Sequence, residues 1–216
     1  GAPIVLIGHA AEVTSAQFSP DRARVLTASL DGTARLWPAD GAGAPLVLAG
    51  HATGLTSARF SPDGARVITA SHDGTARIWP ADSAGAPVAP IVLAGHTAAV
   101  TSARFSPDGA RVLTASLDGT ARLWPADGVG EPLVLAEHAE GLHEAGFSPD
   151  GMRVITASED GTARLWLIGV PAIERALRSA YDACLPPDVR QRYLGESAEA
   201  ETGNQADVNT TTPAPE

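Results

Sequence analysis

Histidine, serine and aspartate recur together in this chain, and together they are the residues of nucleophilic acyl transfer: a hydroxyl attacks, an imidazole takes its proton and a carboxylate orients the imidazole. The sets are His9/Ser29/Asp31, His51/Ser71/Asp73, His96/Ser116/Asp118 and His138/Ser158/Asp160, and each is followed by a tryptophan: Trp37, Trp79, Trp124 or Trp166. Every one of these tryptophans lies 28 residues after its histidine. A catalytic triad is needed once per site, whereas this constellation comes four times at one spacing. A structural role follows. An indole packed inside a protein needs an acceptor for its one donor, and buried polar groups need partners. Of the hydroxyls on that strand face, Ser29 is the expected partner, with Thr27 two residues earlier as the alternative. No residue is assigned a catalytic role, and the chain is read as a non-enzyme.

Other chemistries find less support. Four of the six histidines belong to the repeated sets and are too dispersed for one metal ion, while His72 and His143 lack cysteines or carboxylates at ligand spacing. The single cysteine, Cys184, can form neither an internal disulfide nor a Cys-rich zinc site. The Asp-Gly-Thr segments lack the alternating acidic ligands of a calcium loop, and the glycines show no phosphate-cradling pattern before a helix. Neither metal nor cofactor is expected. All 15 basic residues are arginine, dispersed among 25 acidic ones for a net charge of -10, so nucleic acid is not an expected partner. No apolar run approaches the ~18 residues of a helical membrane span, and no membrane partner is expected.

The elements that position the sets are legible from the same repetition. Four units, residues 8–40, 50–82, 95–127 and 137–167, align without gaps, and their tryptophans stand 42, 45 and 42 residues apart. In the third unit, residues 100–105 read as a strand closed by Ser106-Pro107-Asp108-Gly109, where proline presets φ and glycine tolerates positive φ. Residues 111–116 follow as a second strand, then the Asp118-Gly119 hairpin signal, then a third strand at 120–124. A fourth apolar run, such as residues 45–48 or 90–93, precedes the next unit. Four antiparallel strands per unit of roughly 40 to 45 residues is the period of a propeller blade.

The Gly8-His9, Gly50-His51 and Gly95-His96 dipeptides, the Asp-Gly-Thr turns and the terminal Arg-Leu-Trp or Arg-Ile-Trp resemble the WD-repeat family of β-propellers over residues 3 to about 167. Two departures are visible. The tryptophans are followed by Pro38, Pro80, Pro125 and Leu167 instead of the family's aspartate, and Glu137 replaces glycine before His138. The resemblance implies an all-β propeller of four-stranded antiparallel blades. It also implies a buried relay in each blade, from the hairpin aspartate through histidine and a Ser or Thr hydroxyl to the indole.

Positions that vary between units are the better candidates for recognition, because packing does not dictate them. The residue before the hairpin aspartate is Leu30, His72, Leu117 or Glu159, and the start of the first strand carries Glu12 and Thr14, Thr56, Thr101, or His143 with Glu144. The resemblance implies that these positions line the narrow face of the disc, where proteins and peptides dock. The expected function is a non-catalytic protein-interaction scaffold or sensor. The alternative is the regulatory propeller of a longer bacterial signalling enzyme, a Ser/Thr kinase or a STAND-type NTPase. The absence of lysine and the abundance of Ala, Gly and Arg fit a GC-rich bacterial genome, and the expected setting is cytoplasmic.

Counting strands leaves residues 3–7 over and the fourth unit short of one, so residues 3–7 read as an outer strand that either closes a ring on the edge of residues 162–166 or is left over from a longer ring that has been cut. Four blades fall short of the six to eight usual for the family. The expected explanations, in order, are a piece of a larger propeller, two chains forming one ring as a homo-oligomer, and a closed four-blade monomer. Residues 168–194, with Ile173, Leu177, Ala180, Tyr181 and Cys184 at helical spacing, read as a helical cap. Residues 195–216, acidic and poor in apolar residues, read as a disordered tail.

Overall fold

The computed structural model describes residues 3–82, 89–136 and 138–169. The chain divides into two units, Gly1–Gly169 and Val170–Glu216. Most of the expected helical cap and all of the expected tail lie outside the described residues.

Each repeat forms one antiparallel sheet. The first contains β1 (Val13–Phe18), β2 (Arg24–Ser29), β3 (Thr33–Pro38) and β4 (Leu46–Ala49). The second holds β5 (Leu55–Phe60), β6 (Arg66–Ser71), β7 (Thr75–Pro80) and β8 (Ile91–Ala94), and the third holds β9 (Val100–Phe105), β10 (Arg111–Ser116), β11 (Thr120–Pro125) and β12 (Leu133–Ala136). The fourth has three strands, β13 (Leu142–Phe147), β14 (Arg153–Ser158) and β15 (Ala163–Leu167). In each sheet the first strand packs against the first strand of the next, so these inner strands lie side by side.

Local sequence explains the strand ends. The Ser-Pro-Asp-Gly segment turns between the first two strands because its fourth residue has positive φ: 71° at Gly64, 70° at Gly109 and 68° at Gly151. The first unit has Arg22 there, forced to φ 63°. Each inner strand carries a β-bulge at its second residue, the position of Thr14, Thr56, Thr101 and His143.

The core lies between sheets. Leu26, Ala28, Ala34, Leu36 and Leu48 of the first sheet cluster with Leu55, Ala58, Phe60 and Val67 of the second. Equivalent clusters join the second sheet to the third and the third to the fourth. Each blade therefore has a leading face toward the blade before it and a trailing face toward the blade after it.

Two expectations are corrected. Residues 3–7 form no strand and do not pair with β15; the fourth sheet ends at β15 among the described residues. Sequence pattern marks a segment as strand-like, but pairing requires that an edge come within reach. At the start of the expected cap, Ile168 instead finishes the fourth blade: it is buried in the cluster between the third and fourth sheets, and its N–H donates to the Met152 carbonyl at 3.0 Å.

Candidate functional site

The repeated polar sets converge within each sheet. In the first, His9 Nδ1–H donates to Asp31 Oδ2 at 2.9 Å, and His9 Nε2 accepts from the Thr27 hydroxyl at 2.7 Å. Trp37 Nε1–H donates to the same Thr27 oxygen at 2.9 Å. The other three sheets repeat this geometry through Thr69, Thr114 and Thr156. The proton count is self-consistent with a neutral imidazole: Nδ1–H points at the carboxylate and Nε2 faces a hydroxyl.

The hydroxyl of the relay is thus threonine, and Ser29, Ser71, Ser116 and Ser158 are corrected to a different role. Register decides it. Val25 lies opposite Trp37 and Thr27 opposite Arg35, so the indole is one diagonal step from Thr27 and two from Ser29. Ser29 accepts the Asp31 N–H at 3.0 Å and donates to the Ala11 carbonyl at 3.2 Å, tying the hairpin to the incoming loop. Ser71, Ser116 and Ser158 do the same for Asp73, Asp118 and Asp160.

The aspartates are held as anions. Burial pushes the Asp118 carboxyl up, but donors from Thr120, His96 and the Thr97 backbone outweigh it and bring its pKa down to about 2. Asp31 and Asp73 follow the same balance, with burial opposed by their threonine, histidine and backbone donors, and lie well below the usual carboxylate range. Asp160 is lowered mainly by Thr162 and then His138. The partner histidines of the middle sheets are kept neutral, since burial lowers the pKa of His51 and His96 against the opposing pull of Asp73 and Asp118. An imidazole trapped between an anion and an inward-facing threonine is placed to hold two strands and a loop together. The Thr27 oxygen, occupied by both the imidazole and a buried indole, is not presented to a substrate.

Two parts of this arrangement escaped the repeat reading. The threonine of each Asp-Gly-Thr turn donates to the aspartate, as Thr33 does to Asp31 Oδ1 at 2.7 Å. A Cβ on Gly50 would stand 2.9 Å from the Arg77 guanidinium and 3.2 Å from Trp79, so glycine lets both side chains pack against the chain before the relay histidine; the fourth unit carries Glu137 at this position.

Residues 3–38, 45–80, 89–125 and 132–166 match the family model described as WD domain, G-beta repeat. The chain belongs to the WD-repeat family. No curated protein matches the chain at significant similarity. WD repeats generally mediate protein–protein contacts and are typically non-catalytic scaffolds.

The candidate recognition positions of this WD-repeat chain separate into three groups. Thr14, Thr56 and Thr101 sit in the bulges, which turn their hydroxyls sideways to donate to the Leu55, Val100 and Leu142 carbonyls of the next blade at 3.0, 2.7 and 2.8 Å. Glu144 reaches back along the inner strands to Arg104, with Arg59 at 4.0 Å. Burial and the neighbouring Arg104 lower the pKa of Arg59, and Glu144 opposes them. The remaining positions share one edge of the sheets. Leu30 N–H donates to the Glu12 carbonyl, His72 to Gly54, Leu117 to Ala99 and Glu159 to Gly141, all at 2.9–3.0 Å. Leu30, His72, Leu117 and Glu159 are all exposed there, and Glu159 lies 4.0 Å from His143.

Proposed function

We propose that this chain is a non-catalytic protein-binding scaffold or sensor whose docking surface is the blade edge bearing Leu30, His72, Leu117 and Glu159. One observation carries this reading. The polar residues common to all repeats are consumed by hydrogen bonds inside the blades, whereas this row varies from blade to blade and stays exposed. Two leucines in a row otherwise polar provide apolar anchor points, and Glu12, Glu140 and Glu159 make the same edge acidic. The complementary ligand is a protein segment that carries an apolar side chain beside arginine or lysine.

Panning a random peptide library on the immobilised chain tests this reading. Enriched peptides should combine an apolar residue with a basic one, and Leu117→Glu and Glu159→Arg should each weaken them about tenfold or more while leaving the melting temperature in place. Enrichment indifferent to both substitutions, or no enrichment over an unrelated β-protein, would contradict it.

A further inference from the structure

We propose that two copies of this chain close into one ring of eight blades, each copy's residues 3–7 serving as the outer strand of the other's fourth blade. The inference is independent of the docking edge. It rests on two faces that the single chain leaves uncovered among the described residues, and on residues 3–7, which pair with no sheet there.

The faces are the two halves of an interface the chain already builds three times. On leading faces, Phe60 and Phe105 are each 7% exposed, whereas the equivalent Phe18 is 64% exposed. On trailing faces, Leu36 is 3% exposed and Leu123 6%, whereas the equivalent Leu165 is 63% exposed. A polar contact repeats the same logic. Arg24 lies over the Phe60 ring at 5.8 Å and donates to the Ala81 carbonyl of the next blade at 2.6 Å. Arg66 and Arg111 likewise lie over Phe105 and Phe147. Among the described residues no phenylalanine follows to take Arg153, which rests 3.9 Å from Asp150, and no arginine of this series lies over Phe18. The fourth blade of one copy thus offers what the first blade of another lacks.

The strand fits by sequence and spacing. Pro3-Ile4-Val5-Leu6 repeats Pro90-Ile91-Val92-Leu93, the approach to and most of outer strand β8, and the family match places residue 3 at the start of a repeat as it does residue 45. Ile7 lies six residues before Val13, as Ala49 does before Leu55 and Ala94 before Val100. Transferring the register of β7 on β8, where Thr75 faces Ala94 and Ile78 faces Ile91, puts Ile7 opposite Thr162 and Ile4 opposite Leu165 of the other copy. Strand and leading face therefore arrive together, one completing the fourth sheet and the other covering it. The contact is head-to-tail, and two copies related by a two-fold axis satisfy both of its halves twice.

Light scattering on the purified chain, over a series from about 1 to about 100 μM, should give twice the 22.0 kDa chain mass. Phe18→Glu and Leu165→Glu alter opposite faces, both solvent-exposed in the single chain, and each variant should keep its far-UV spectrum and run as a monomer. An equimolar mixture should regain the two-chain mass through one native junction, between the fourth blade of the Phe18→Glu copy and the first blade of the Leu165→Glu copy, while the other junction stays open. A monomeric wild type, as expected if upstream blades or another protein cover these faces, would overturn the proposal. So would folded variants that stay monomeric when mixed, or a ladder of masses beyond two chains.

Discussion

The second and third blades of this protein differ from the first and fourth in surroundings far more than in sequence. Phe60 and Phe18 both precede a Ser-Pro-Asp turn and both end a six-residue inner strand, yet one is buried and the other exposed. Leu123 and Leu165 both precede a relay tryptophan and differ in the same way. Strand, turn and relay are written inside each unit; burial is supplied by the neighbour. A WD blade is therefore a locally complete design that buries its own indole, as Trp37 at 5% exposure shows, and whose phenylalanine and leucine faces are covered by stacking.

The widest gap between middle and end blades is expected for the phenylalanines. In the Leu165→Glu background, where the chain is single, Phe105→Ala should cost about 3–5 kcal/mol in urea unfolding and Phe18→Ala less than about 1 kcal/mol. Equal costs would erase the distinction. The relay offers a sharper version, because its geometry is shared and only burial differs. Thr114→Val strands a buried indole N–H and an imidazole nitrogen and should cost about 2–3 kcal/mol. Thr156→Val removes the same bonds from the half-buried Trp166 and should cost about half as much.

Acid should act first through the middle blades. His51 and His96 have lowered pKa values when folded, so below the unfolded value of 6.5 the unfolded chain binds more protons and stability falls with falling pH. Asp31, Asp73 and Asp118 are also lowered, and their contribution, present above the unfolded value of 3.8, is lost as pH falls toward their folded values. Two successive declines are expected in melting temperature against pH. Thr114→Val, which cuts the imidazole from its hydroxyl, should flatten the upper one. The smallest effect belongs to the turn that separates the first blade from the rest: Arg22→Gly relieves a left-handed φ and should stabilise by about 0.5–1 kcal/mol.

Much of this was legible in the sequence because it is local. The strands expected at residues 100–105 and 111–116 coincide with β9 and β10, and three members of each relay are read directly from the repeats. The fourth member is not, since Thr114 and Ser116 lie on one strand face and only the pairing frame, with Val112 opposite Trp124, brings Thr114 within reach of the indole. The sideways hydroxyls of Thr14, Thr56 and Thr101 depend on bulges that leave no sequence signature distinct from an ordinary strand. The place of residues 3–7 was the least legible. Residues 3–7 have the composition of a strand, but which edge receives them depends on how far successive sheets carry the ends apart, which no single unit encodes.

Amide hydrogen exchange on the wild type and on Leu165→Glu, compared at one concentration, tests most directly whether neighbouring blades supply what these units lack. In Leu165→Glu, β6 and β10 should be protected most, and β15 and Val13–Phe18 least. In the wild type those two end segments should rise toward the protection of their counterparts β11 and β9. Identical protection of the end segments in the two proteins would contradict the account.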